Sequence, residues 1–242
     1  MIKEVISQGI DRLSPLLAKT GGVVGTAVRP KFNSVQSVVE AHFRDYSDPD
    51  HPCRKTLSLA LEILAGKPAK ILETGSSAWG TNSSLLFDSY VNSFGGHFST
   101  VDIRITPTIA LRRRCTANTS LFCDDSVSFL RRHTRNLESA DLVYLDSWDV
   151  DWSSPLASAI HGLHEFLVML PTMRTGSLLL IDDSPRDAQI MSGVNVHELD
   201  GFERFVSEYG MAPGKGALVK NYLSKNGIGK EIAHDYQLLW QF

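Results

Sequence analysis

The chain has 242 residues, 43% of them apolar and 21% charged, and a formal net charge of -3. That length and composition suit one soluble α/β domain with modest additions, and the absence of a basic field argues against a nucleic-acid partner. No run of about 18 apolar residues or signal-peptide core is present, so no membrane association is expected. Three widely spaced cysteines without a CxxC pair (Cys53, Cys115 and Cys123) read as reduced thiols of a cytoplasmic protein.

Residues 2–17 place Ile2, Val5, Ile6, Ile10, Leu13 and Leu17 at helical spacing. This amphipathic helix is expected to pack on its own domain or on a partner subunit in a homo-oligomer. The stretch "AKTGGVVGTAVRPKFN" then reads as a linker, which divides the chain into an appendage, 1–35, and a domain, 36–242. From residue 54 the pattern alternates. Helix "RKTLSLALEILAG" precedes strand "AKILE", helix "NSSLLFDSYVNSF" precedes strand "HFSTVD", and helix "PTIALRRRCTAN" precedes strand "TSLFCD". Helix "SVSFLRRHTR", strand "DLVYLD", helix "PLASAIHGLHEFLVML" and strand "GSLLLID" continue the series. The basic cluster Arg112–Arg114 reads as a solvated helix face. "ELDGFERFVSEYG" is a further helix, and "KEIAHDYQLLWQF" reads as a C-terminal hairpin. Residues 36–54, 147–155 and 184–216 are expected to carry the specificity loops. Alternation of this kind predicts right-handed crossovers. The expected fold is α/β: a Rossmann-like, doubly wound, mostly parallel seven-stranded sheet with an antiparallel edge hairpin and an N-terminal helical appendage.

Each expected parallel strand ends in an acid: Glu73, Asp102, Asp124, Asp146 and Asp182. Ligands of open α/β sheets bind outside the carboxyl ends of the strands. Five like charges on one rim are costly unless a ligand or metal satisfies them, although Asp is also a favoured helix cap. The turn "ETGSSAWG" carries glycines only at Gly75 and Gly80, without G-x-G-x-x-G or a Walker ending, and Asp102 lies 27 residues beyond Gly75. A cofactor with hydroxyls and positive charge but no phosphate fits better than a dinucleotide, and S-adenosylmethionine (SAM) is one.

Over about 55–190 the ordered motifs resemble those of class I SAM-dependent methyltransferases. "ILETG" is similar to the family's first motif, "STVDI" to its second, and "CDDS" to its adenine-contacting segment. The resemblance implies that Glu73, Gly75, Ser76 and Gly80 lie around the methionine moiety. It further implies that Asp102 takes the ribose hydroxyls and that Asp125 or Ser126 lies near the adenine. The spacing from Gly75 to Gly80 is longer than the family's, so the resemblance assigns no role to Trp79 within it.

"LVYLDSWDVD" and "LLLIDDSP" put Asp146 at the end of one strand and Asp182 and Asp183 at the end of its neighbour, strands about 5 Å apart. Hard cations such as Mg2+ take oxygen ligands of this kind. The pattern resembles metal-dependent O-methyltransferases of the catechol and macrocin (TylF-like) types. Ser147 stands where the catechol type has a histidine. The resemblance implies a Mg2+ site at Asp146, Asp182 and Asp183, with direct SAM contacts, Asp146 included, and turn capping as alternatives. In this reading the ion is Lewis acid and template for O-methylation of a small-molecule or sugar hydroxyl. The general base is expected at Asp149, with Asp151 behind it. His51 is expected at a loop, His161 and His164 within a helix, and Lys215 and Lys220 in a solvated turn; Tyr209, Tyr236 and Trp240 read as core or aromatic wall. The competing functions are a metal-independent methyltransferase, a nicotinamide oxidoreductase, and a non-catalytic SAM-binding scaffold.

Overall fold

The computed structural model describes residues 22–77, 80–137, 140–191 and 195–242. The amphipathic pattern at 2–17 and Trp79 lie outside the described residues. Eight strands form one sheet: β1 (Val23–Val24), β2 (Ala69–Thr74), β3 (Gly96–Asp102), β4 (Thr119–Cys123), β5 (Leu142–Leu145), β6 (Leu178–Ile181), β7 (Lys230–His234) and β8 (Leu238–Gln241). Their order is β1-β4-β3-β2-β5-β6-β8-β7. The pairs β4–β3, β3–β2, β2–β5 and β5–β6 are parallel, while β8 runs antiparallel to both β6 and β7. The expected mostly parallel sheet with its C-terminal hairpin is therefore present.

The eighth strand is β1, which pairs antiparallel with β4 from within the stretch that reads as a linker. The same segment brings Arg29 against buried Asp88 at 3.2 Å. Asp88 Oδ1 also accepts from the Thr116 amide and from the Thr116 and Thr119 hydroxyls at 2.8, 2.8 and 2.6 Å.

The helices are α1 (Val35–Asp45), α2 (Arg54–Leu64), α3 (Ser83–Phe94), α4 (Ile105–Arg112), α5 (Ser126–Leu137), α6 (Leu156–Met169), α7 (Val196–Tyr209) and α8 (Ala217–Asn226). Three corrections to the sequence reading appear here. The first part of 36–54 belongs to helix α1, which is capped by Ser34, whose hydroxyl accepts from the Ser37 amide at 3.1 Å. The end of the "APGKGALVK" turn opens helix α8. α2 closes on Ala65 in the left-handed region, one residue before the expected Gly66.

Alternation along the strands fills two cores. Ile71, Phe98, Tyr144 and Leu178 point to one face, where Phe43 of α1, Leu57 and Leu61 of α2 and Phe87 of α3 cover them. Leu72, Val101, Val143 and Leu179 point to the other, under Phe129 of α5, Phe166 of α6 and Val219 and Leu223 of α8. Helices on both faces explain why the central strands read as continuous apolar runs. All three cysteines are buried. No helix among the described residues is long and apolar enough to cross a membrane.

Candidate active site

The chain leaves β2 toward one side of the sheet, through β3 and β4, and then returns to start β5 on the other side. The carboxyl ends of β2 and β5 form the point where the strand order reverses, the usual place for a ligand crevice. A cavity of about 530 Å³ opens there. Ser76 and Ser77 from the β2 loop, Asp146 and Asp149 from the β5 loop, and Asp182 and Asp183 from the β6 turn all line it.

The five strand-end acids divide into separate roles. Glu73 is fully buried behind the cavity instead of facing it. Its Oε1 accepts from Ser83 at 2.6 Å, and its Oε2 from Ser84 at 2.5 Å and Thr100 at 2.6 Å. It ties the start of α3 to the sheet beneath the cofactor-type loop. Burial pushes its carboxyl up to about 7 against the pull of these three hydroxyls.

Gly75 has φ 82°, and a Cβ built there would stand 2.1 Å from the Asp146 carbonyl oxygen. The glycine is therefore required for the β2 and β5 loops to touch, a reason that lies across the sheet. Ser76 donates its amide to Asp102 Oδ2 at 3.0 Å and shares a 2.7 Å bond between its hydroxyl and that of Thr100. Gly80 sits apart from the cavity wall beside His51, which itself lines the cavity. Burial lowers the His51 pKa, with Asp182, Asp48 and Asp183 opposing.

Asp102 is covered. Arg104 folds back to donate Nε to Oδ1 at 3.0 Å and Nη2 to Oδ2 at 2.9 Å, and it is Arg104 that reaches the cavity. Nothing in the motif pattern singled out this arginine. Asp124 pairs with Arg132. Asp125 is exposed and accepts from the Ser128 amide at 2.8 Å, so its side chain caps α5. Ser126 is buried, its hydroxyl 3.2 Å from His161 Nε2. His161 also meets Ser147 Oγ at 2.8 Å, and Ser147 donates to Glu165 at 2.7 Å, which fastens the β5 loop to α6. The helical placement of His161 and His164 agrees with the sequence reading.

Asp146, Asp182 and Asp183 do converge: one ligand oxygen from each lies within 4.8 Å of the others. Three carboxylates are the hard-oxygen donor set that Mg2+ or Ca2+ takes, and they fit such an ion. Two of them are held from behind. Asp182 Oδ1 accepts from Gln237 Nε2 at 2.7 Å and from Cys53 Sγ at 3.3 Å, and Asp183 Oδ1 accepts from the Tyr236 hydroxyl at 2.7 Å. Fixing the ligating groups in this way is what a working metal site requires.

The sequence reading of Lys215 is overturned. Its side chain is 3% exposed, and its ammonium donates to Asp146 and, at 2.9 Å, to Asp183 Oδ2. Burial would lower its pKa, but Asp146, Asp183 and Asp182 together raise it above the usual lysine range, so the group is an ammonium. Burial, reinforced by Asp182 and Asp183, raises the Asp146 carboxyl against the pull of Lys215. Asp183 stays low because Lys215 and Tyr236 outweigh its burial. The frame "PGKG" was the only local signal. Lys220 is not part of this site: it pairs with Glu231 at 2.8 Å.

Asp149 is exposed on the cavity wall. Asp151 lies off it, its Oδ1 taking the Ser153 amide at 3.0 Å and hydroxyl at 2.6 Å. It caps a turn there and is not placed as a base.

No protein-family model matches the chain. No curated protein matches it either. Among solved structures, it is similar to the MycE methyltransferase from the mycinamycin biosynthetic pathway in complex with Mg and SAH. The TM-score is 0.53 at 16% identity, over 88% of this chain and 55% of that one. The same enzyme with Mg, SAH and mycinamycin VI gives a TM-score of 0.52 at 16% identity, over 86% of this chain and 53% of that one. SAH-bound PaMTH1, a methyltransferase of Podospora anserina, gives 0.52 at 14% identity, over 97% and 95%. The chain thus spans about half the length of MycE and nearly all of PaMTH1. It has the fold of these methyltransferases.

Proposed function

We propose that the chain is a SAM-dependent O-methyltransferase that acts on a hydroxyl of a small molecule or sugar, with a divalent ion such as Mg2+ held by Asp146, Asp182 and Asp183. The observation that carries this reading is one cavity, at the strand-order reversal, lined both by the Ser76–Ser77 loop and by the three converging carboxylates. The methyltransferase fold supports it.

Ser76 would face the cofactor from the β2 end, Asp102 would do so from the β3 end once Arg104 turns aside, and Ser126 would approach it from α5. SAM supplies an electrophilic methyl, and a divalent ion lowers the pKa of an acceptor hydroxyl and orients it. The chain's own contribution is mostly positional. Buried donors on Asp182 and Asp183 fix the acceptor end, and the His161–Ser147–Glu165 network fixes the loop that carries Asp146. Holding two reactants in line accounts for much of such an acceleration. Asp149, exposed at the cavity wall, would take the hydroxyl proton.

Lys215 favours a second reading, in which its ammonium serves the acids and methyl transfer needs no metal. Calorimetry with S-adenosylhomocysteine (SAH) and with NAD tests the cofactor: SAH should bind and NAD should not, and the reverse would sink the proposal. Methyl transfer to a panel of hydroxylated acceptors, with Mg2+ or with EDTA, then separates the two readings. SAH binding without transfer to any acceptor would favour a non-catalytic SAM-binding domain.

A further inference from the structure

We propose that Lys215 is the resident cation of the acid cluster, and that a divalent ion binds there only by displacing its ammonium from Asp146 and Asp183. The inference rests on the reading of the cluster as a metal site, and it concerns what that site must give up when a metal arrives.

The first argument is position. One oxygen from each of the three carboxylates lies within 4.8 Å of the others, and Lys215 Nζ is bonded to two of these acids, Asp146 and Asp183. The ammonium thus takes up the carboxylates that an ion would use, so metal entry requires that Nζ leave.

The second argument is that the seat of Lys215 is built. Its amide donates to the Asp183 carbonyl at 3.1 Å, and the next amide, Gly216, donates to Ser184 Oγ at 2.8 Å. A Cβ on Gly162 of α6 would stand 2.3 Å from the Lys215 carbonyl oxygen, and one on Gly214 would stand 2.2 Å from that of Asp183. The backbone is clamped from both sides, so exchange of cations must go through side-chain rotation alone. The third argument is charge. Three carboxylates around one ammonium leave the cluster negative, so it still attracts a divalent ion while its resident cation opposes entry.

The test is Mn2+ binding to the full-length protein and to Lys215→Met, by calorimetry and by the paramagnetic signal of free Mn2+, each with SAH titrated separately. Mn2+ should bind Lys215→Met at least tenfold more tightly than wild type. Equal or weaker binding by the variant overturns the competition while leaving the metal site standing. Mn2+ binding to neither protein overturns the competition and the metal reading together. Failure of wild type to bind SAH overturns the cofactor reading, and the Mn2+ comparison still decides the role of Lys215. Should Lys215→Met fail to fold, Lys215→Gln takes its place. Wild type itself supplies an independent readout, because amine modification of the nearly inaccessible Lys215, followed by mass spectrometry, should run at least fivefold faster in saturating Mn2+. An unchanged rate overturns the proposal.

Discussion

Arg104 closes both arms of its guanidinium on Asp102, two residues back, at 3.0 and 2.9 Å. The acid expected to take a ribose diol is therefore already occupied, and a cofactor bound there has to move the arginine aside. The arginine is largely exposed, so the pair is worth no more than about 1 kcal/mol. Arg104→Ala should tighten SAH binding by up to about fivefold, measured by calorimetry. A loss of affinity would mean that Arg104 instead holds the cofactor.

Glu73 and His42 should give pH dependences of opposite sign. Burial raises the folded-state carboxyl of Glu73 from 4.5 to about 7, so the folded chain holds its proton over a window where the unfolded chain has released it. Stability from this group is therefore lost as pH rises from 4.5 to 7, by about 3 kcal/mol. His42 runs the other way. Burial lowers it from 6.5 to about 4, and its contribution is lost as pH falls through that window. The two nearly cancel in the wild type. Glu73→Gln should unmask the His42 slope, so that denaturant midpoints fall with acidification between pH 6.5 and 4.5 more steeply than in the wild type. Parallel curves for the two proteins would refute the assignment.

Gly75→Ala should unfold the cleft from its centre. The left-handed backbone alone costs about 1–3 kcal/mol in a non-glycine residue, and the added methyl meets the Asp146 carbonyl. A lowered melting temperature and a loss of both SAH and Mn2+ binding are expected. Retained Mn2+ binding would show that the two loops are less tightly coupled than their contact implies.

Asp182→Ala removes one oxygen ligand without breaking a hydrogen bond of Lys215, because the hydrogen bonds of Asp182 run to Gln237 and Cys53. Stimulation of methyl transfer by Mg2+ should disappear and Mn2+ affinity should fall at least tenfold. The fold should survive, since the change lightens a crowded negative cluster. Unaltered metal stimulation would place the ion elsewhere.

Much of the sheet was legible because alternating apolar runs and helical spacings are local properties, and Asp146, Asp182 and Asp183 were legible because strand ends in this topology share one edge. The helix α1 was also written locally, in the spacing of Val35, Val38, Val39 and Phe43 after the cap Ser34. It precedes the strand–helix alternation that begins near residue 54, so it read as a loop. Lys215 was not legible: a lysine between two glycines looks solvated until α6 and the β6 turn close around it. Glu73 and Asp102 were correctly placed at strand ends. Their hydroxyl and guanidinium partners come from distant or unremarkable positions, so sequence alone could not tell a ligand-facing carboxylate from a structural one.

The two-residue strand β1 has a consequence for how copies of this chain meet one another. Along β4 it occupies backbone groups that would otherwise face outward as an open edge, and Arg29 locks it in place through a carboxylate with no exposed surface. Removing residues 22–34 would strip the guanidinium from Asp88 and bare that edge together. Open edges of this kind recruit strands from other molecules. A chain lacking residues 22–34 should therefore self-associate more strongly than the full chain at the same concentration, a difference that light scattering would register.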